Sequence, residues 1–332
     1  MIGVQTGRSP DTTGERPRGL VGVRAVAERR HEVGVEQRRR AILRVRHQLA
    51  VAGKWRRRGD YRRAGLLLTR TLAAAEGRFG PHALVVAEAC NELGVLCKAT
   101  GGFRRAERYY RRALRIFRAA HGTEHDSVAT VYHNLGGIAH ARGRHAHGEP
   151  LARRAVDIRT RLHGRGDPRV AADVAAWAAL LDGCGRELEA EMHLWRALEV
   201  FRTALGEEHY EVAVTTHNLA ALRHRRGDLL GAARAYADAL RRKENALGPD
   251  HPDLAATLVG LASALRGLGR AEAARAGYGR AVSVLAGLVE ENHPTLVLAR
   301  AAFAAASAEA EPEPRADPQR RAGAGAERGP AA

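Results

Sequence analysis

Sixteen histidines in 332 residues are the groups here most able to do chemistry, and their spacing decides what kind. A zinc hydrolase needs two histidines one helical turn apart with a glutamate between them, as in His-Glu-x-x-His. The Glu-His clusters of this chain, Glu124-His125 and Glu207-Glu208-His209, lack that spacing. His133 and His140 are seven residues apart. On a helix that is about 10 Å, too far for one ion held about 2 Å from each nitrogen. No serine or cysteine stands beside a base and an orienting group. The Gly-x-x-Gly patterns follow no strand, so they make no phosphate loop. No catalytic residue, metal or cofactor is expected, and the chain is not read as an enzyme.

The elements that position these histidines are punctuated by glycine. Gly80, Gly122, Gly164, Gly206 and Gly248 recur at a step of 42 residues. A second series, Gly101, Gly143, Gly185, Gly227 and Gly269, keeps the same step, and Gly59 extends it backwards. Two turns per period mean two elements per period. Ala, Leu, Arg and Glu dominate and aromatics make up only 5%, so both elements are predicted helices and a β-propeller is excluded. Each unit carries a leading turn, helix A, a glycine turn and helix B.

Three columns hold only small residues. They are Gly94, Gly136, Ala178, Ala220 and Ala262; then Ala106, Gly148, Ala190, Ala232 and Ala274; then Ala113, Ala155, Ala197, Ala239 and Ala281. Small side chains in register let helices A and B approach closely along one line. Three residues before the last column stand Tyr110, Ala152, Leu194, Tyr236 and Tyr278, mostly large side chains placed to wedge against the next unit. The site one before the first column is Leu93, Leu135, Trp177, Leu219 and Leu261. Trp177 is its one departure from leucine.

This spacing resembles the tetratricopeptide repeat, and Leu-Gly-x-x-His-Pro-x-Leu-Ala around Gly248 resembles the 42-residue form in kinesin light chains and bacterial relatives. The resemblance covers about residues 38–308. It implies an all-α fold, a right-handed α-solenoid of about six tetratricopeptide helix pairs plus a C-terminal capping helix. Residues 1–36 read as a basic leader, disordered at first and loosely helical over 21–36. Residues 37–308 read as the solenoid and 309–332 as a disordered tail. His125, His209, His251 and His293 fall in leading turns, which makes them capping residues. Pro150 falls in the first two turns of a helix B, where a kink is tolerable.

No run of 18 apolar residues is present, so no membrane span is expected. Cys90, Cys97 and Cys184 form no Cys-x-x-Cys pair. An odd count argues for a reducing, cytoplasmic setting, with Cys90 and Cys97 packed in the core. The net charge is +17, and residues 1–60 carry +9 of it. Only Lys54, Lys98 and Lys243 are lysines, and arginine in an Ala- and Gly-rich chain is also what GC-rich coding produces.

One face of helix A is polar in several units. Asn91, His133 and His217 share one site, with Asn134 and Asn218 beside it. Lys98, His140, His224 and Arg266 stand seven residues further on. A step of seven returns to the same helical face. The resemblance makes this the inner groove of the stack. There Asn would hold an extended backbone and cations would hold acidic side chains. The expected partner is therefore an acidic peptide segment of another protein. Two other readings stay open. Nucleic acid could bind the stretch from Arg38-Arg39-Arg40 to Arg56-Arg57-Arg58, although interleaved aromatics for stacking are absent. The chain could also be a regulatory or sensor module of a signalling system.

Overall fold

The structure is a computed structural model that describes residues 19–310. Thirteen α-helices and no strand occur among them. In chain order these are α1 (Gly19–Arg57), α2 (Tyr61–Phe79), α3 (Leu84–Ala99), α4 (Phe103–His121), α5 (Asp126–Ala141), α6 (His145–His163) and α7 (Pro168–Gly183). Then follow α8 (Glu187–Leu205), α9 (Tyr210–Arg225), α10 (Leu229–Leu247), α11 (Ala255–Gly267), α12 (Ala271–Leu285) and α13 (Pro294–Ala310). The readings of residues 1–18 as a leader and of residues beyond 310 as a tail lie outside the described residues.

The described residues fall into two compact units that divide between His47 and Gln48. The described part of the first is helical throughout. Its helix begins at Gly19 and passes the expected 36/37 boundary without a break. No proline interrupts it after Gly19, and Arg40 is paired with Glu36 one turn away at 2.8 Å.

The second unit is an α-solenoid, in which α3/α4, α5/α6, α7/α8, α9/α10 and α11/α12 are complete helix pairs and α13 follows. All eleven turn glycines have φ between 67° and 93°. That is the left-handed region, where a Cβ is strained, and it ends one helix and re-aims the chain for the next. Three of the four leading-turn histidines are caps, while His293 Nδ1 is buried without a partner and does not cap its helix. Nδ1 of His125, His209 and His251 accepts the N–H two residues on at 3.2, 3.2 and 3.1 Å. In the fourth unit Asp167 accepts the Arg169 N–H at 2.8 Å instead.

The three small-residue columns are buried throughout. Their large neighbours do not all wedge the same way. A Cβ on Gly260 would lie 2.6 Å from the Tyr236 ring, so Tyr236 packs into the following unit as expected. Tyr110 instead folds back on its own helix A, where a Cβ on Gly94 would lie 2.4 Å from its ring. Glycine at position 94 makes room within the pair, and the alanine at the equivalent 178 and 220 does not. Cys90 and Cys97 are buried in α3, and burial pushes the Cys90 thiol up to about 11. Pro150 is accommodated inside a continuous α6.

Candidate functional site

Helices α3, α5, α7, α9 and α11 present their polar columns on one face of the stack. The nine sequence-derived residues are less uniformly exposed than the pattern implies. His140 and Arg266 are exposed, while the other seven are half-buried. Side chains on neighbouring A helices bridge to one another. Asn134 Nδ2 donates to Asn91 Oδ1 at 2.9 Å. Asp182 pairs with Arg225, Tyr210 donates to Asp253 at 3.3 Å, and Arg266 pairs with Glu309. Each of these bridges joins residues 43 apart, one unit plus one residue.

His133 is held differently. Its Nδ1 lies 2.8 Å from Asp173 Oδ1. Asp173 is 1% exposed, and each of its carboxylate oxygens also accepts from Arg159 Nη1 at 2.8 Å. Arg159 also reaches Thr130 Oγ1 at 2.6 Å, so a buried ion pair fixes the orientation of His133. Sequence reasoning missed this pair, though the signal was available in the register. Arg159 occupies the site of Phe117, Phe201 and Leu285, and Asp173 the site of Val131. A charge of each sign had entered two adjoining columns in one unit, and the next polar pair in the same columns is Lys243 with Thr257.

The remaining candidates have no side-chain hydrogen bond among the described residues: Lys98, His140, His217, Asn218 and His224. Lys98 lies against Gly137, where a Cβ would come within 2.6 Å of its Nζ. Burial lowers its pKa, and Asp253 partly restores it. His140 sits 5.1 Å from the His145 ring. The surrounding protein first, then His145, Lys98 and Arg225, push its pKa down to about 4. His217 packs at 5.2 Å against the Tyr236 ring, and burial takes its pKa to about 3. Its Nδ1 is buried without a partner. Both imidazoles are neutral at pH 7, so on this face they act as hydrogen-bonding groups and not as cations.

Turns from distant units meet beside this face. His251 Nε2 donates to the Arg57 carbonyl at 2.8 Å, and Pro252 packs against Gly59. The Glu290 N–H donates to the Thr100 carbonyl at 2.8 Å, and Arg105 pairs with Glu290. No group of three or more metal-ligating side chains is assembled among the described residues. No described helix is long and apolar enough to cross a membrane.

The sequence profile of the family described as Tetratricopeptide repeat matches residues 44–119, 91–161, 170–245 and 212–287. Among solved structures, BtubC (BKLC) from P. vanneervenii is 22% identical, with 82% of this chain and 96% of that one covered and a TM-score of 0.47. A chain from Podosopora anserina, assigned to kinesin light chain and carrying nearly identical TPR-like repeats, is 20% identical. That match covers 61% of this chain and 96% of that one, with a TM-score of 0.48. A Rap protein complexed with Competence and Sporulation Factor is 15% identical, covers 80% of this chain and 85% of that one, and has a TM-score of 0.56. No curated protein matches the sequence.

Proposed function

The chain belongs to the tetratricopeptide repeat family, and from that premise we propose that it is a non-catalytic protein-interaction scaffold. Its repeat array, residues 37–308, takes an extended peptide segment of another protein on the inner face of the A helices. The observation that carries this reading is the set of hydrogen-bonding groups on that face that the fold itself leaves unsatisfied. His217 Nδ1 is buried and unpartnered, and Asn218 beside it has no bond among the described residues. Asn218 is only half-buried, so an extended backbone lying along the face could bond its amide, each such bond contributing about 0.5–1.5 kcal/mol. Asn134 and Asn91, bonded to each other, can exchange that bond for an amide of an extended backbone. Lys98, which feels Asp253 but makes no ion pair among the described residues, suits an acidic side chain on the same segment.

The test is binding of an acidic peptide library to the full chain and to a variant with His133, Asn134, His217 and Asn218 all changed to Ala. Peptides retained by the parent and lost by the variant support the reading. Peptides bound equally by both would show that the inner face is not the site.

A further inference from the structure

A cavity of about 480 Å³ lies on the other side of α7, closed by α6 and α8. Val170, Val174 and Trp177 line it at positions i, i+4 and i+7 of α7, a stripe turned away from the inner column that holds Ala175 and Asp182. Its size falls within the range that ligand pockets occupy, about 300–1,000 Å³. The repeat register shows how it is made. Val156 stands where other units have Leu114, Leu198 and Leu240. Val200 stands where they have Ile116, Ile158, Arg242 and Val284, and Val174 where they have Cys90, Tyr132, Thr216 and Leu258. Relative to the unit before, with Leu114, Tyr132 and Ile158, three smaller side chains converge on one space. One unit earlier the counterparts of Val156, Val174, Trp177 and His193 line a smaller cavity of about 220 Å³ that otherwise has different walls.

The walls are fixed and the rim is charged. The Trp177 indole N–H donates to Glu149 Oε1 at 2.9 Å, and its ring lies 4.7 Å from the His193 ring, which holds it in place as an aromatic wall. Arg161, Arg165 and Arg196 line the rim against one carboxylate, Asp157. Arg161 is already engaged by Glu124. Arg165 and Arg196 have no carboxylate partner among the described residues, and both are exposed. An apolar chamber of this size beside two uncommitted guanidiniums is complementary to one chemical class.

We propose that this cavity binds a small amphipathic carboxylate, its apolar body seated against Trp177 and the three valines and its carboxylate held by Arg165 and Arg196. The site is independent of the inner face.

The experiment is calorimetric titration of the full chain with decanoate, 1-naphthylacetate and, as the uncharged counterpart, decanol. Saturable binding of one carboxylate per chain is expected, with decanol at least tenfold weaker. V174Y, which restores the aromatic residue of the preceding unit, abolishes the binding. V156L/V200I, which restores two register residues with smaller changes, weakens it tenfold or more while leaving the helical circular dichroism intact. R165A/R196A removes the preference for carboxylate over alcohol. The proposal is overturned if no carboxylate saturates, if decanol binds as tightly as decanoate, or if the folded filling variants bind as the parent does. The last result would mean that the cavity is only a packing gap.

Discussion

Lys243 is a charge placed where its neighbours are oil. It is 5% exposed and its Nζ has one hydrogen-bond partner, Thr257 Oγ1 at 2.9 Å. The same column holds Phe117, Phe201 and Leu285 in other units, and Arg159 in the one where Asp173 pairs with it. Burial pulls its pKa from 10.5 to about 8, with Asp253 and Glu211 acting the other way. A lysine whose folded pKa is lowered takes up its proton more readily when unfolded. Its cost to folding is therefore fully present below about pH 8 and fades as pH rises towards 10.5. Lys243→Met is expected to stabilise the chain by about 1–3 kcal/mol at pH 7. The gain should shrink by pH 10, which urea denaturation at the two pH values would measure. His217 works at the other end of the scale. Its folded pKa of about 3 lies below the ordinary 6.5, so stability present above pH 6.5 is lost as pH falls through that window. The loss is at most about 1.4 kcal/mol per pH unit. A His217→Gln variant should lose less stability than the parent between pH 7 and 5, and parallel curves for the two would refute this.

At the scale of single elements, helical glycines divide by what surrounds them. Gly94 in α3 lies under the Tyr110 ring, and a methyl there would sit 2.4 Å from it. Overpacking of this kind costs about 1–3 kcal/mol, more than the roughly 1 kcal/mol that alanine gains over glycine in a helix. Gly77 in α2 has no atom within 4 Å of an added Cβ. Gly94→Ala should therefore lower the melting temperature and Gly77→Ala should raise it. The elements themselves were legible in the sequence, because a turn at φ near 80° tolerates little except glycine and so writes its position into the chain. The polar face shared along each A helix was legible too, since a step of seven keeps one face. What lay on that face was legible only in part. The bond between Asn134 and Asn91 depends on an offset of 43, not 42, and that extra residue comes from the stagger of adjacent helices. Neutral His140 and His217 were hidden for a related reason. Their charge is set first by burial between helices and only then by neighbours such as His145, Lys98 and Lys243, which sit on other helices.

Across the repeat unit as a whole, the contacts that pattern reading could not supply are those between distant turns. His251 meets Arg57 across 194 residues, and Glu290 meets Thr100 across 190. Each repeat adds a small rotation that no local motif records, and only the sum brings one turn against another. His251 serves both purposes at once, capping its own turn and donating to the far one. His251→Ala should cost about 1–2 kcal/mol from the lost cap and hydrogen bond. Hydrogen exchange should show the amides near Gly59 and Pro252 losing protection before those of α7 and α8.

Those turn-to-turn bonds have a mechanical consequence. Within each unit, helices are tied by continuous packed cores, whereas distant turns are tied by a few hydrogen bonds and ion pairs. Under tension applied between residues 60 and 300, the weak ties lie across the direction of stretch and the strong ones lie between neighbours. The stack should extend elastically once the latches at His251 and Glu290 release, well before any helix unravels. Optical-tweezer traces would show a reversible low-force lengthening, absent when both latches have been removed by substitution.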